Sequence, residues 1–482
     1  MTDPSELARP TARAHIGAHT LAPLLGHWDA TGSAYTALAS RLRLLIIDGR
    51  IPSHTRLPSE RELAAAVGRS RSTVVAAYRA LRDEGYLVSI RGSGSIARLA
   101  PADIHGVDPP VVDFARAAPA PVAALGDVIA RAAATAPAAI THAGVDMLGE
   151  ESLRVRIAER FVRRGLPTRP DQIMVTLGAQ HAIALIARTL LAPGSRVLVE
   201  SPSYPHALQA FRDAGARILG TPVTSQGWDL DHAAGVLDRL RPVLAYLMPD
   251  FHNPSGGSIP DTQRAQLAHG ARRTGTLLLV DETTAELDID GIGSAGEIAT
   301  QAGDSVIIVG SLSKTVWGGF RIGWIRADPG MLTRLAARRP AGDLGTPVIE
   351  QLMAASVLDD LDQLLAERLA QLRGQRDLVI RLLRSQLPDW HVPSVAGGLC
   401  LWVGLGTPLS SRLAAACQRQ GLRISAGPTF GTDGAHERFI RVPFTAGPEH
   451  LTAGVSILRD TWDRVCDGRR RGGRLAPLPH TL

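Results

Sequence analysis

From about Val111 onward, short apolar runs alternate with segments of helical spacing. Ile173 to Thr176, Arg196 to Glu200, Val243 to Met248, Thr276 to Val280 and Val306 to Gly310 each read as a buried strand. No other feature constrains the fold as strongly. Strands that are apolar throughout need cover on both faces, and helices lying between them in sequence supply it, so the pattern predicts a parallel α/β sheet. With 482 residues the chain is long enough for such a core and, on length alone, for about three domains.

The sequence before this region has a different texture. Residues 1–33 show little periodicity and scattered Pro, Gly and His, which predicts a loosely packed extension. Residues 34–99 form a compact pattern, with a helix near Ala34 to Asp48, a turn at Gly49 to Pro52, a helix near Ser59 to Val67 and another near Arg71 to Glu84. YLVSIRGSGSIARL, two apolar runs around a Gly-rich tip, then reads as a hairpin. Residues 100–110, with Pro101, Pro109 and Pro110, read as a linker, 111–467 as one large domain and 468–482 as a C-terminal tail.

Charge singles out the compact module. The formal net charge is +6, and between Ala34 and Arg98 there are 11 arginines against Asp48, Glu60, Glu62, Asp83 and Glu84, which accounts for the whole excess. A polyanionic partner fits such a module. Ser59 followed by Glu62 forms a capping box, and Gly68 closes that helix before Ser70, Arg71, Ser72 and Thr73 open the next. Two helices joined this way match a helix-turn-helix, whose second helix enters the major groove; an ordinary helical hairpin with a solvated basic face has the same pattern. The stretch GRIPSHTRLPSERELAAAVGRSRSTVVAAYRALRDEGYLVSIRGSGSIA resembles, almost position by position, the winged helix-turn-helix of the GntR family of bacterial regulators. That resemblance implies double-stranded promoter DNA as partner, Arg61 contacting phosphate or base, Ser70, Arg71 and Thr73 on the recognition helix, and Arg91 and Gly92 at a wing tip in the minor groove. Val75 stands where some relatives carry a base-reading arginine, so the operator does not carry over.

One lysine, Lys314, stands among 52 basic residues, the rest being arginine. Coding bias explains the arginines, since on a solvated face either cation serves. It leaves the single lysine to chance or to chemistry that arginine lacks: a lysine amine loses its proton and forms Schiff bases with carbonyls. The sequence also contains residues suited to a phosphorylated pyridine aldehyde. Asp281 ends the apolar run LLLVD at a sheet edge, where a carboxylate keeps a pyridine nitrogen protonated. Gly178, Ala179 and Gln180 open a helix after IMVT and offer backbone N–H groups to phosphate. Ser311, Ser313 and Arg321 offer further donors, Tyr204 a ring to lie on the cofactor, and Asn253 an amide for its hydroxyl. Taken singly, most of these are turn, core or surface residues.

Their joint order resembles that of fold-type I pyridoxal phosphate enzymes of the aspartate aminotransferase kind, from roughly Val111 to Asp467, with a smaller C-terminal α+β subdomain. The resemblance implies pyridoxal 5′-phosphate on Lys314 as a Schiff base, Asp281 at the ring nitrogen, Asn253 at the ring oxygen, and Tyr204 stacked on the ring. Gly178, Ala179, Gln180, Ser311, Ser313 and Arg321 would hold its phosphate, and Arg441, in RFIRVPF, would grip a substrate or effector carboxylate. Two departures weigh against efficient transamination: Thr283 stands where many relatives carry a tyrosine, and HAGVDMLGEESLR lacks the tyrosine that often reaches the partner subunit's phosphate.

A GntR-type reader joined to an aminotransferase-like domain is similar in architecture to the MocR family of bacterial transcription regulators. This implies a homodimeric, pyridoxal phosphate-dependent regulator in which an amine or amino acid reacting at Lys314 alters promoter binding. A working aminotransferase carrying a DNA-binding module, and a direct sensor of pyridoxal phosphate, remain alternatives. Cys400, Cys417 and Cys466 form no CxxC pair, which fits a reducing cytoplasm. No run of about 18 apolar residues, no leader pattern and no metal-ligand cluster is read.

Overall fold

The computed structural model describes residues 14–26, 28, 33–47, 50–52, 55–83, 85–90, 94–98, 112–140, 143–224, 227–293, 298–432 and 434–472. The N-terminal part is a small α+β unit. Strands β1 (Ala14–His15), β2 (Thr55–Arg56), β3 (Leu87–Ile90) and β4 (Gly94–Ala97) form a sheet in the order β1-β2-β4-β3, with β3 and β4 antiparallel. Helices α1 (Ala18–Leu25), α2 (Ala34–Ile47), α3 (Glu60–Ala66) and α4 (Arg71–Asp83) pack around Leu42, Leu63, Val74 and Leu81. The capping box at Ser59 is present: its Oγ accepts the Glu62 N–H at 3.3 Å and its own N–H donates to Glu62 Oε2 at 2.9 Å. Gly68 then takes φ +63°, the left-handed conformation that ends the helix.

The N-terminal extension is corrected over residues 14–25. β1 pairs in parallel with β2, and Leu21 and Leu25, one helical turn apart, are fully buried in the same core. A helix of 8 residues containing Pro23 and flanked by glycines leaves too short a periodic signal to stand out in the sequence. The linker 100–110 and the wing-tip residues Arg91 and Gly92 lie outside the described residues.

The large α/β unit is built on an eight-stranded sheet. Its strands are β6 (Ile173–Thr176), β7 (Arg196–Ser201), β8 (Arg217–Thr224), β9 (Gly227–Trp228), β10 (Leu244–Leu247), β11 (Leu277–Asp281), β12 (Val306–Ser311) and β13 (Gly323–Arg326), after the short β5 (Val112–Asp113). Their spatial order is β6-β13-β12-β11-β10-β7-β8-β9. The expected parallel sheet holds from β8 through β12, but β13 runs antiparallel to both β12 and β6, and β9 is antiparallel to β8. The departure follows from chain path: β13 returns from the end of β12 without a crossover helix, so it must reverse. Helices cover both faces, giving two apolar layers on either side of the sheet.

A smaller α+β subdomain closes the chain. Strands β14 (Cys400–Gly404), β16 (Ser425–Ala426) and β17 (Phe439–Pro443) form one sheet, and β15 (Leu422–Arg423) pairs in parallel with β5, so Val112 belongs spatially with the C-terminal part. The last helix runs Pro448–Gly472, past the expected boundary at 467. The N-terminal unit touches this subdomain: Arg41 on α2 and Arg50 lie 3.5 and 4.0 Å from Glu437. Glu437 also accepts bonds from Ser410 Oγ, Ser411 N and Ser411 Oγ at the start of the helix Ser410–Gln418. Among the described residues no helix is long and apolar enough to cross a membrane.

Candidate functional site

The carboxyl ends of β10, β11 and β12 open toward the small subdomain, and the predicted residues gather there. Asp281 is the last residue of β11 and pairs in register with Val309 of β12; three residues after β12 ends, Lys314 sits on the single-turn helix Leu312–Thr315. Adjacent parallel strands therefore deliver the carboxylate and the amine to one edge. Lys314 Nζ donates to the carbonyl of Ala117 at 2.8 Å. Burial lowers its pKa to about 8, helped by the nearby Arg441 cation and opposed by Asp281, so the amine loses its proton far more readily than an exposed lysine does. Asp281 is 2 % exposed. Burial raises its pKa, while hydrogen bonds from Thr283 and Tyr246 oppose the rise.

The phosphate-side residues are arranged around the start of the helix Ala179–Leu190. Gly178 has φ +93°, a conformation that favours glycine, and a Cβ there would lie 2.9 Å from an Arg321 guanidinium nitrogen, which would have to shift. Arg321 donates to the Leu177 carbonyl at 2.8 Å. Ser311 lies 2.8 Å from Ser313 Oγ and donates to the Ile322 carbonyl at 2.9 Å, and it accepts the Ser313 N–H at 3.1 Å. Ser311 thus shapes the turn, leaving Ser313 as the freer hydroxyl. Gln180 spends its amide N–H on the His206 carbonyl at 2.9 Å.

Tyr204 caps the helix Pro205–Asp213, and burial pushes its phenol up to about 12, so its ring is neutral. Asn253 Oδ1 accepts from Arg441 at 3.3 Å. Arg441, on β17, is 6 % exposed and lies 5.0 Å over the Phe430 ring. Its remaining contact is the Ala115 carbonyl, and its Nε is buried with no hydrogen-bond partner. Among the described residues no carboxylate lies within ion-pair distance of this guanidinium, so the wall presents a buried cation that lacks an anion.

Lys314, Asp281, Ala179, Gln180, Tyr204, Asn253, Ser311, Ser313, Arg321 and Arg441 all line one cavity of about 430 Å³; Gly178 stands behind it, shaping the helix start. An amine with a lowered pKa, a buried carboxylate, a helix N-terminus beside an arginine, and a buried guanidinium near the amine fit pyridoxal phosphate together with an acid-bearing amine. Sequence reading missed Tyr246, whose hydroxyl donates to Asp281 Oδ2 at 2.7 Å, and Glu200, which accepts from Trp228 Nε1 at 2.6 Å and Met248 N at 2.9 Å and lies 3.2 Å from His252. A tyrosine and a glutamate inside apolar strands were the available signal, since a buried polar group needs a partner.

On the N-terminal unit, Ser70, Arg71, Ser72 and Thr73 are exposed or half-exposed at the start of α4, and Arg61 is exposed on α3. Ser70 Oγ accepts the Thr73 N–H at 3.2 Å, so it caps this helix besides facing outward. Tyr78 ties α4 to the approach of α3 through the Pro58 carbonyl at 2.9 Å.

Comparison with known proteins divides the chain in the same way. Residues 125–455 match the family model of aminotransferase class I and II, and residues 34–96 match that of bacterial regulatory proteins, gntR family. The chain is 32% identical over 305 residues to a 2-aminoadipate transaminase of Thermus thermophilus, covering 62% of this chain and 77% of that protein. It is 30% identical over 382 residues to the HTH-type pyridoxine biosynthesis transcriptional regulator PdxR of Corynebacterium glutamicum, covering 76% of this chain and 82% of that one. Among solved structures, LysN, an α-aminoadipate aminotransferase from Thermus thermophilus complexed with N-(5′-phosphopyridoxyl)-L-leucine, superposes with a TM-score of 0.68 at 29% identity, covering 74% of this chain and 93% of that one.

Proposed function

Because the chain belongs to the aminotransferase class I and II family and joins to it a gntR-family DNA-binding domain, the architecture of MocR-type transcription regulators, we propose that an amino acid binding in the cavity resets how the reader meets promoter DNA. Pyridoxal phosphate is the cofactor; when bound it supplies an aldehyde that exchanges amine partners and a ring that accepts electron density. Lys314 is the nucleophile, with burial keeping its Nζ ready to lose its proton. Asp281 holds a proton on the ring nitrogen, and Asn253 donates its amide to the ring oxygen. The backbone N–H groups of Ala179 and Gln180, with Ser313 and Arg321, take the phosphate. Tyr204 presents its ring as a stacking surface. Arg441 receives the ligand's carboxylate.

The observation that carries this reading is Arg441: a buried guanidinium whose Nε has no partner asks for an anion, and it lines the same cavity as the one lysine. An effector bearing both an amine and a carboxylate meets both needs. On the DNA side, Arg71 and Thr73 read the major groove, Ser70 starts their helix, and Arg61 contacts phosphate or base. Arg91 and Gly92, outside the described residues, are assigned to the wing. Two copies, paired through the large domain, would present two readers.

Promoter-DNA binding by the cofactor-loaded protein, measured with amino acids and with the corresponding decarboxylated amines, tests the proposal. Amino acids should shift DNA affinity, and the amines should do so more weakly. DNA affinity indifferent to every amino acid tried, together with many turnovers between an amino donor and a keto acid, would mean a working transaminase instead.

A further inference from the structure

Tyr246 lies in the middle of the sheet, fully buried on β10, and packs edge-on against Phe211 with ring centroids 5.7 Å apart. Its hydroxyl donates to Asp281 Oδ2 at 2.7 Å, while the Thr283 backbone N–H donates to Oδ1 at 3.0 Å. The carboxylate is therefore held from two sides, by Tyr246 on a neighbouring strand and by the backbone and side chain of Thr283 in the turn that follows β11. We propose that Tyr246 is a positioning residue for the cofactor: its O–H fixes the Asp281 carboxylate, in its ionised form, as the partner of the pyridoxal phosphate ring nitrogen. This rests on the reading that the cavity holds pyridoxal phosphate.

The physical need lies in the surroundings of the carboxylate. Asp281 sits where water cannot solvate its charge, and the charged groups around it pull in different directions. Glu200, buried on β7, disfavours a second negative charge; Lys314, on the turn after β12, favours it; Tyr204 faces the same space as a neutral phenol. A hydrogen bond to the charged form tips that balance toward ionisation. A protonated Asp281 would offer the ring nitrogen no negative charge.

The test is titration of the full-length protein with pyridoxal phosphate, followed by cofactor absorbance across pH, for wild type, Tyr246→Phe, Asp281→Asn and the double variant. Phenylalanine keeps the ring against Phe211 and removes only the donor. Tyr246→Phe should bind the cofactor roughly tenfold more weakly near neutral pH, and the pH below which affinity drops should move up by about one unit. In the Asp281→Asn background, where no carboxylate remains to ionise, Tyr246→Phe should add little. Phe211→Leu controls for packing and should lower the melting temperature without moving the pH midpoint. If wild type binds the cofactor and Tyr246→Phe leaves the midpoint in place, or weakens binding equally in the Asp281→Asn background, the positioning role is overturned. If wild type itself fails to bind, it is the reading of the cavity that fails.

Discussion

At the scale of single residues, Lys314 carries the sharpest expectations. Borohydride reduction of the cofactor-loaded protein should fix the cofactor on that one side chain. Lys314→Ala and Lys314→Arg should both lose the chromophore, since arginine keeps the charge and cannot serve as the nucleophile. A peptide map showing the reduced cofactor on any other group would refute the assignment. The pKa of about 8, below the ordinary lysine value of 10.5, sets a pH dependence with a definite sign. Capture of the aldehyde should accelerate as pH rises through about 8 and then level off, in stopped-flow absorbance. In the cofactor-free protein the folded state binds fewer protons than the unfolded chain between those two values, so stability should rise with pH across that window, and Lys314→Met should abolish the rise. Lys314, Asp281 and Asn253 were legible because each sits in a short motif whose chemistry is local. The partners that set their behaviour were not: Ala117 is 197 residues from Lys314, and Tyr246 is 35 from Asp281, and only the tertiary fold brings them together.

Among the elements, the paired helices of the reader were legible from their ends. Ser59, Glu62 and Gly68 announce where α3 starts and stops, and Ser59→Ala should cost about 1 kcal/mol of stability, read as a shift of the reader's thermal transition. Arg71→Ala should weaken specific DNA binding by about 1 to 3 kcal/mol and relax base preference. A loss that is uniform across sequences would make Arg71 a phosphate contact. Helix α1 was not legible, because eight residues with an internal proline carry only two core positions, yet Leu21 and Leu25 are completely buried. Leu25→Ala should accordingly cost about 2 to 5 kcal/mol in chemical denaturation of the reader. Strand direction was likewise beyond the sequence. β13, of sequence GWIR, carries too few apolar residues to announce itself as a strand, and the tight return after Lys314 makes it antiparallel to β12.

Across the whole molecule, the excess positive charge belongs to the reader and the amine chemistry to the large domain. A fragment covering residues 14–98 should retain DNA affinity, with the slope of log affinity against log salt changing by about −0.9 for each phosphate it neutralises. Its affinity should still fall below that of the full chain, because it lacks the second reader that a dimer would supply. Equal affinity in a gel-shift titration would remove that role from the large domain. Glu437 joins the two halves in another way. One carboxylate steadies the first turn of the helix Ser410–Gln418 and also meets Arg41 and Arg50, on a chain segment that begins at Phe430 in the cavity wall. At 3.5 and 4.0 Å these ion pairs are loose, and a glutamine keeps an acceptor for Ser410 and Ser411, so Glu437→Gln should leave folding intact. What it should change is transmission: a side chain shared between two bodies works like a gear tooth, and with the tooth filed down an effector would still turn the first wheel while the second stayed still.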